Sequence, residues 1–259
     1  MPLRKGRAAV ATSAVGAVAR GQPVPRVGPM GLGITGDIPI CGRWNGRSRP
    51  ADVGVVRRNT FHLRGGPDPI TFGAGIENGD IPIVGDWNGD GTADVGVVRE
   101  NCFFLRGRRE PIRYGSGIAH GDIPIVGAWD GAHDQIGIVH GKYFFLRHGD
   151  GSVSTITFGN GFAHGDLPIT GRWDGESRTQ IGVVRGNVFH LRHSDGSVTW
   201  RVFGDGACGG DVPLVGDWTG TGRDGIGVAR KTKDFFKPDG DVVPYGNGFT
   251  ITFAPPSTM

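Results

Sequence analysis

Five times in this chain Gly-Asp-(Ile/Leu/Val)-Pro is followed by a short apolar run and a tryptophan. The copies begin at Gly36, Gly79, Gly121, Gly165 and Gly210, and they lead to Trp44, Trp87, Trp129, Trp173 and Trp218. Successive tryptophans stand 43, 42, 44 and 45 residues apart. A fixed period of that length marks an array of one supersecondary unit, in which no unit can bury its apolar faces alone. It also supplies a filter. A residue type present in every copy serves the architecture, and a residue that occurs once is where function is to be sought.

The repeats run without a break in period, so residues 31–254 read as one domain, with 255–259 as a tail. Glycine is 49 of 259 residues, far above the average of roughly 7 %. The glycines lie beside Asp, Asn, Pro and Ser between apolar runs, the composition of many tight turns. No apolar stretch reaches the roughly 20 residues of a membrane-spanning helix. The net charge is +3, but Arg4, Lys5, Arg7, Arg20 and Arg26 all precede the first acid, Asp37. Without those five charges the remainder stands at −2, which argues against a nucleic-acid binder. Residues 1–30 combine that basic start with an Ala/Val-rich run over 8–19 and a Pro/Gly-rich stretch over 20–30. The expectation is a weak signal peptide, and hence secretion, or a disordered linker. Cys41, Cys102 and Cys208 have no metal-ligand spacing. Cys41 and Cys208 fall in the first and last repeats, which a ring would bring together, so they form either a bridge or, with Cys102, three small buried hydrophobes.

The second copy shows the unit. Residues 81–87, 94–99, 102–106 and 111–114 read as four strands, rich in β-branched or aromatic residues and bounded by turn formers. Val95 and Val97 alternate with Val98, and Phe103 and Leu105 with Phe104, so both faces are apolar. A sheet packed between two neighbours needs this, whereas a sheet with one wet face would alternate cleanly. Four strands in about 43 residues is the size of a propeller blade. The fold expected is all-β, a five-bladed β-propeller of four-stranded antiparallel blades. The segments 27–34 and 249–253 either pair across the seam or are stumps of further blades.

One constellation occurs once: Asp86, Asn88, Asp90, Thr92 and Asp94, with Gly91 at the turn. Oxygen donors at positions 1, 3, 5 and 9, with a backbone carbonyl at position 7, suit Ca²⁺, and three carboxylates this close repel one another without a cation. The other copies lack the set. Arg43 and Arg172 replace Asp86 in copies one and four. The expectation is that each guanidinium stands in for the cation, pairing with Asp52 in copy one and with Asp174 or Glu176 in copy four. A site in the second copy alone is expected to bind with a Kd of about 10⁻⁴–10⁻³ M.

Phe72-Gly73, Tyr114-Gly115, Phe158-Gly159, Phe203-Gly204 and Tyr245-Gly246 each open a Gly-rich link, and in four cases a Gly-Asp-x-Pro strand and the loop position follow. Over about residues 31–254 this resembles the FG-GAP (VCBS-type) repeat of integrin-like propellers, in the version found in bacterial secreted proteins. The resemblance implies a propeller with calcium loops between the first and second strands of its blades. It also implies a role in adhesion or ligand binding, often beside a secreted hydrolase.

The five tryptophans are read as blade-to-blade packing, with a sugar-stacking set as the alternative. Trp200, outside the repeat, is the better candidate for an exposed aromatic. Basic residues seven apart (Arg57/Arg64, Arg99/Arg106, His140/Arg147, Arg185/Arg192, Arg230/Lys237) are read as structural, and the Gly-Asp aspartates as turn formers. No nucleophile elbow, Walker loop or zincin motif is present. The function expected is an extracellular, calcium-supported, non-catalytic and monomeric binding or adhesion module for a glycan or protein ligand. The alternative is a propeller-fold glycan hydrolase or lyase, or the accessory propeller of a larger secreted hydrolase. An enzyme should place several acids in the central funnel, and the acids here are expected in the repeated turns and the single loop instead.

Overall fold

The computed structural model describes residues 33–46, 48–230, 234–237, 242–247 and 249–252. The segment read as a signal peptide or linker, and the 255–259 tail, lie outside the described residues. Strand β1 (Gly33–Gly36) comes first. Blade one holds β2 (Ile38–Gly42), β3 (Asp52–Arg57), β4 (Thr60–Leu63) and β5 (Ile70–Thr71). Blade two holds β6 (Ile81–Gly85), β7 (Asp94–Arg99), β8 (Cys102–Leu105) and β9 (Ile112–Arg113). Blade three holds β10 (Asp122–Gly127), β11 (Gln135–His140), β12 (Tyr143–Arg147) and β13 (Val153–Thr157). Blade four holds β14 (Asp166–Gly171), β15 (Gln180–Arg185), β16 (Val188–Arg192) and β17 (Val198–Val202). Blade five holds β18 (Asp211–Gly216), β19 (Gly225–Arg230), β20 (Asp234–Phe236) and β21 (Val242–Pro244), and β22 (Phe249–Thr252) ends the described chain. Each blade is an antiparallel sheet in sequence order, so the five-bladed β-propeller expected from the repeat is what the chain forms.

The two-faced apolar pattern does what its period requires. Val98, Phe103 and Leu105 of blade two share one core cluster with Ile136 and Ile138 of blade three. Val139, Phe144 and Leu146 of blade three meet Ile181 and Val183 of blade four in the same way. Phe61, Phe103, Phe144, Phe189 and Phe235 are all at most 2 % exposed, so the third-strand aromatic is the central plug of every blade. Truncating such a residue to Ala costs roughly 3–5 kcal/mol.

The first strands of neighbouring blades pack side by side around a central channel, β18 against β2 included, and this closes the ring. At the seam the Cys41 thiol donates to the Val215 carbonyl at 3.0 Å, and the Ala51 amide donates to the Asp217 carbonyl at 2.7 Å. Burial, with Asp224 nearby, pushes the Cys41 thiol up to about 12, so it stays protonated and keeps this bond. All three cysteines are free, and Cys208 is exposed on the link before blade five, so no bridge joins Cys41 to it. The terminal segments pair with each other: β1 runs antiparallel to β22, with Gly33 opposite Thr252 and Gly36 opposite Phe249. They form a two-stranded ribbon apart from the five four-stranded sheets.

Candidate functional site

The first strand of each blade has a motif aspartate at one end and the residue before the tryptophan at the other, so the channel has two rims of fivefold origin. The first rim is a uniform collar. Asp37, Asp80, Asp122, Asp166 and Asp211 are buried. Each carboxylate accepts a basic side chain from the end of its blade's second strand: Arg57, Arg99, His140, Arg185 and Arg230, at 2.7–2.9 Å. Each also accepts backbone N–H groups of the preceding Gly-rich link, as Asp80 does from Ala74 (2.6 Å) and Gly75 (2.8 Å). At the seam the Asn247 amide donates to Asp37 at 2.7 Å, so the fifth link caps the first blade. The aspartates therefore accept local backbone N–H groups before the strand, as expected of turn formers, and also tie that link to the blade's second strand. The glycine of each Phe/Tyr-Gly pair is dictated by them: at Gly73, with φ +83°, an added Cβ would lie 2.5 Å from Asp80 Oδ2. Burial works to raise the Asp37 carboxyl, but the Arg57 and Asn247 hydrogen bonds outweigh it and hold it below the usual carboxylate value.

The second rim begins just past the first strands. Each tryptophan folds back over the glycine two residues before it, so that a Cβ on Gly85 would meet the Trp87 ring at 2.5 Å and Val126 of the next blade at 2.8 Å. This is the wedge packing expected of the repeat. A backbone bond then crosses every blade boundary, from Ala51, Ala93, Asp134, Thr179 and Asp224 to the carbonyls of Asp217, Arg43, Asp86, Ala128 and Arg172. On this fixed frame the side chains differ. The residue before the tryptophan is Arg43, Asp86, Ala128, Arg172 or Asp217, and Asp134 and Asp224 join them, so acids do line the funnel, contrary to the expectation from sequence. All four of these acids are engaged by backbone amides. Asp86 accepts Gly89 (2.7 Å) and Gly91 (2.8 Å), Asp217 accepts Thr221 (2.9 Å) and Gly222 (2.7 Å), Asp134 accepts Asp86 (2.8 Å), and Asp224 accepts Arg172 (2.8 Å). Burial, opposed by the Asp86 amide and Arg172, pushes the Asp134 carboxyl up.

The two rim arginines do not occupy their own loops. Arg43 lies 3.9 Å from Asp217 of blade five and Arg172 3.7 Å from Asp224, also of blade five. Asp52 pairs instead with Arg64 at 2.8 Å, and Asp174 is held by His193 and Ser194. The position at the end of the first strand points to the channel axis, where a neighbouring blade is nearer than the blade's own loop.

In the 86–94 loop, Asp90 accepts the Thr92 amide at 2.7 Å and Asn88 accepts the Asp90 amide at 2.9 Å. Burial, then the charges of Asp90 and Asp86, raise the Asp94 carboxyl, against the pull of Arg106. The donors are all oxygen and the charge favours a cation, yet both Asp86 oxygens hold loop amides. Among the described residues no three His, Cys, Asp or Glu groups converge on one point. The fit to Ca²⁺ is one of donor type and charge, without a preformed cage. Asn88 and Asp94 share a surface groove with Trp87, Leu105, Arg106 and Arg108. Trp87 is partly exposed there, as Trp218 is in blade five, whereas Trp44, Trp129 and Trp173 are buried.

Two features lie away from the channel. Trp200 is 64 % exposed on outer strand β17, flanked by exposed Val198 and Val202, as an aromatic outside the repeat should be. Between the same strand and the blade-four loop, Thr199 Oγ1 meets His193 Nε2 at 2.7 Å while His193 Nδ1 meets Asp174. That is the order of a nucleophile relay, which would also need an oxyanion-binding cavity. The array ties the outer hairpin to the loop. Sequence reasoning missed the funnel ring; its only signal was that the residue before the tryptophan varies while everything around it repeats.

No protein-family model and no curated protein matches the chain. Among solved structures it is similar to a chain in the crystal structure of BBS1N in complex with ARL6DN, soaked with mercury. The identity is 12 %, the TM-score 0.38, and the match covers 79 % of this chain and 64 % of that one, less than two thirds of its length. A likeness at that score carries no argument about function, and the propeller rests on the strand pairing described above.

Proposed function

We propose that the chain is a non-catalytic binding module, acting outside the cell, that takes a glycan in the groove beside the 86–94 loop. The observation that supports this is the gathering, in blade two, of a partly exposed indole, an amide, a carboxylate and two arginines in one groove. An aromatic face with planar polar groups around it suits a sugar ring. Ca²⁺ held by Asp86, Asn88, Asp90, Thr92 and Asp94 would relieve the acid repulsion at Asp94 and stiffen the groove wall, as the FG-GAP resemblance implies. A glycan array, run with calcium and with EDTA on the wild type and Arg108→Ala, tests the reading. Calcium-dependent binding lost in the variant supports it, and binding indifferent to both contradicts it.

A second reading, a propeller glycan hydrolase, draws on the funnel. Asp134, raised by burial, and Asp86 are carboxyl groups of different environment, the kind of pair glycoside hydrolysis uses. Their engagement with backbone amides weighs against it. Reducing-sugar release from a polysaccharide panel would decide for it.

A further inference from the structure

The funnel rim holds recesses of its own, which border the 86–94 loop at Asp86 and Gly91. Two contiguous recesses of about 220 Å³ and 120 Å³ open on the channel axis, and both are lined by Arg43, Asp86, Gly91, Asp134 and Arg172. By formal charge the rim is acidic. Its four carboxylates, however, are already bonded to backbone amides at 2.7–2.9 Å. The two guanidiniums are in the opposite condition. Their contacts to acids, at 3.9 Å and 3.7 Å, are longer than hydrogen bonds. Two forked donors therefore face one recess with their N–H groups uncommitted among the described residues, while each neighbouring acid already accepts at least one backbone amide. The opening exists because blade three places Ala128 where the other blades place Arg or Asp, and His133 and Ser177 line the gap.

We infer that this recess binds a small hydroxylated carboxylate, its carboxyl group taken by Arg43 and Arg172. Planar guanidinium matches the two oxygens of a carboxylate by paired N–H bonds. Phosphate offers the same oxygens, but the four rim aspartates repel a dianion more than a singly charged carboxylate. The larger recess has the dimensions of one sugar ring or one amino acid. Ser177 and the aspartates' remaining acceptor positions face hydroxyl groups rather than a second charge.

The test is titration calorimetry of the whole chain with D-glucuronate, N-acetylserine, glucose and inorganic phosphate. Wild type, Arg43→Lys, Arg172→Lys and the double variant are compared, and the thermal midpoint of each shows that it is folded. The expected result is binding of at least one carboxylate, no binding of glucose, weaker binding of phosphate, and at least tenfold weaker carboxylate binding in the double variant. Glucuronate in preference to N-acetylserine assigns the site to acidic sugars, and the reverse assigns it to hydroxylated amino-acid carboxylates. Absence of carboxylate binding to the wild type, phosphate binding as tight as carboxylate, or unchanged affinity in both folded single variants would overturn the proposal.

Discussion

The two rims of the channel are built from opposite ends of the same five strands, and they have opposite character. At the collar every blade places the same buried aspartate, a basic partner and a link glycine. At the far rim the backbone bonds repeat five times, but the side chains change from Arg to Asp to Ala. Uniformity at one end and divergence at the other separate what closes the ring from what it presents. The collar aspartates cannot vary independently, because each is shared between its own blade's second strand and the preceding link. The rim residues hang from a frame already fixed by main-chain bonds and tryptophans, and so are free to differ.

The largest effect expected from breaking this contrast is at the collar. Asp211 accepts Arg230 at 2.7 Å and the Asp205 amide at 2.6 Å while almost wholly buried. Asp211→Ala should cost about 3 kcal/mol in urea unfolding, because it leaves the Asp205 amide without its acceptor and the Arg230 guanidinium with only its other partners, the exposed Asp205 carboxylate among them. A loss below about 1 kcal/mol would remove the collar's architectural role. Next, Gly85→Ala forces the Trp87 ring off the neighbouring blade and should cost about 1–3 kcal/mol by overpacking. Unchanged stability would show that the tryptophan wedge is slack.

The pH dependence distinguishes the rims by sign. The Asp37 carboxyl is lowered in the fold, so its contribution is fully present above the ordinary carboxylate pKa and is lost as pH falls through the folded value. Asp37→Asn should therefore flatten the acid limb of the stability curve, and an unchanged limb would contradict the collar assignment. Asp134 is raised, so its ionisation costs the fold stability as pH climbs above the ordinary carboxylate value. Asp134→Asn should leave the thermal midpoint at pH 7 unchanged or higher, the smallest of these effects, and a clear fall would show that its charge is needed.

The blades were legible in the sequence because a 43-residue period, two-faced apolar strands and turn glycines all express short-range rules. Predicted strands 94–99 and 102–106 of the second copy became Asp94–Arg99 and Cys102–Leu105. The fivefold basic position was rightly read as structural, but its partner, an aspartate about 19 residues earlier on the adjacent strand, shows only once the strands are paired. Arg43 was misassigned for a related reason. Its nearest acid is Asp217, at the far end of the chain and adjacent only after the ring closes. Likewise, nothing in the local sequence joins Asn247 to Asp37, because that contact is the closure itself.

If function lies where the copies differ, calcium binds in blade two and in no other blade. Titration of Ca²⁺ into EDTA-stripped protein should show one site per chain with a Kd of about 10⁻⁴–10⁻³ M, abolished by Asp94→Ala. Several equivalent sites, no binding, or a single site untouched by that substitution would contradict the claim.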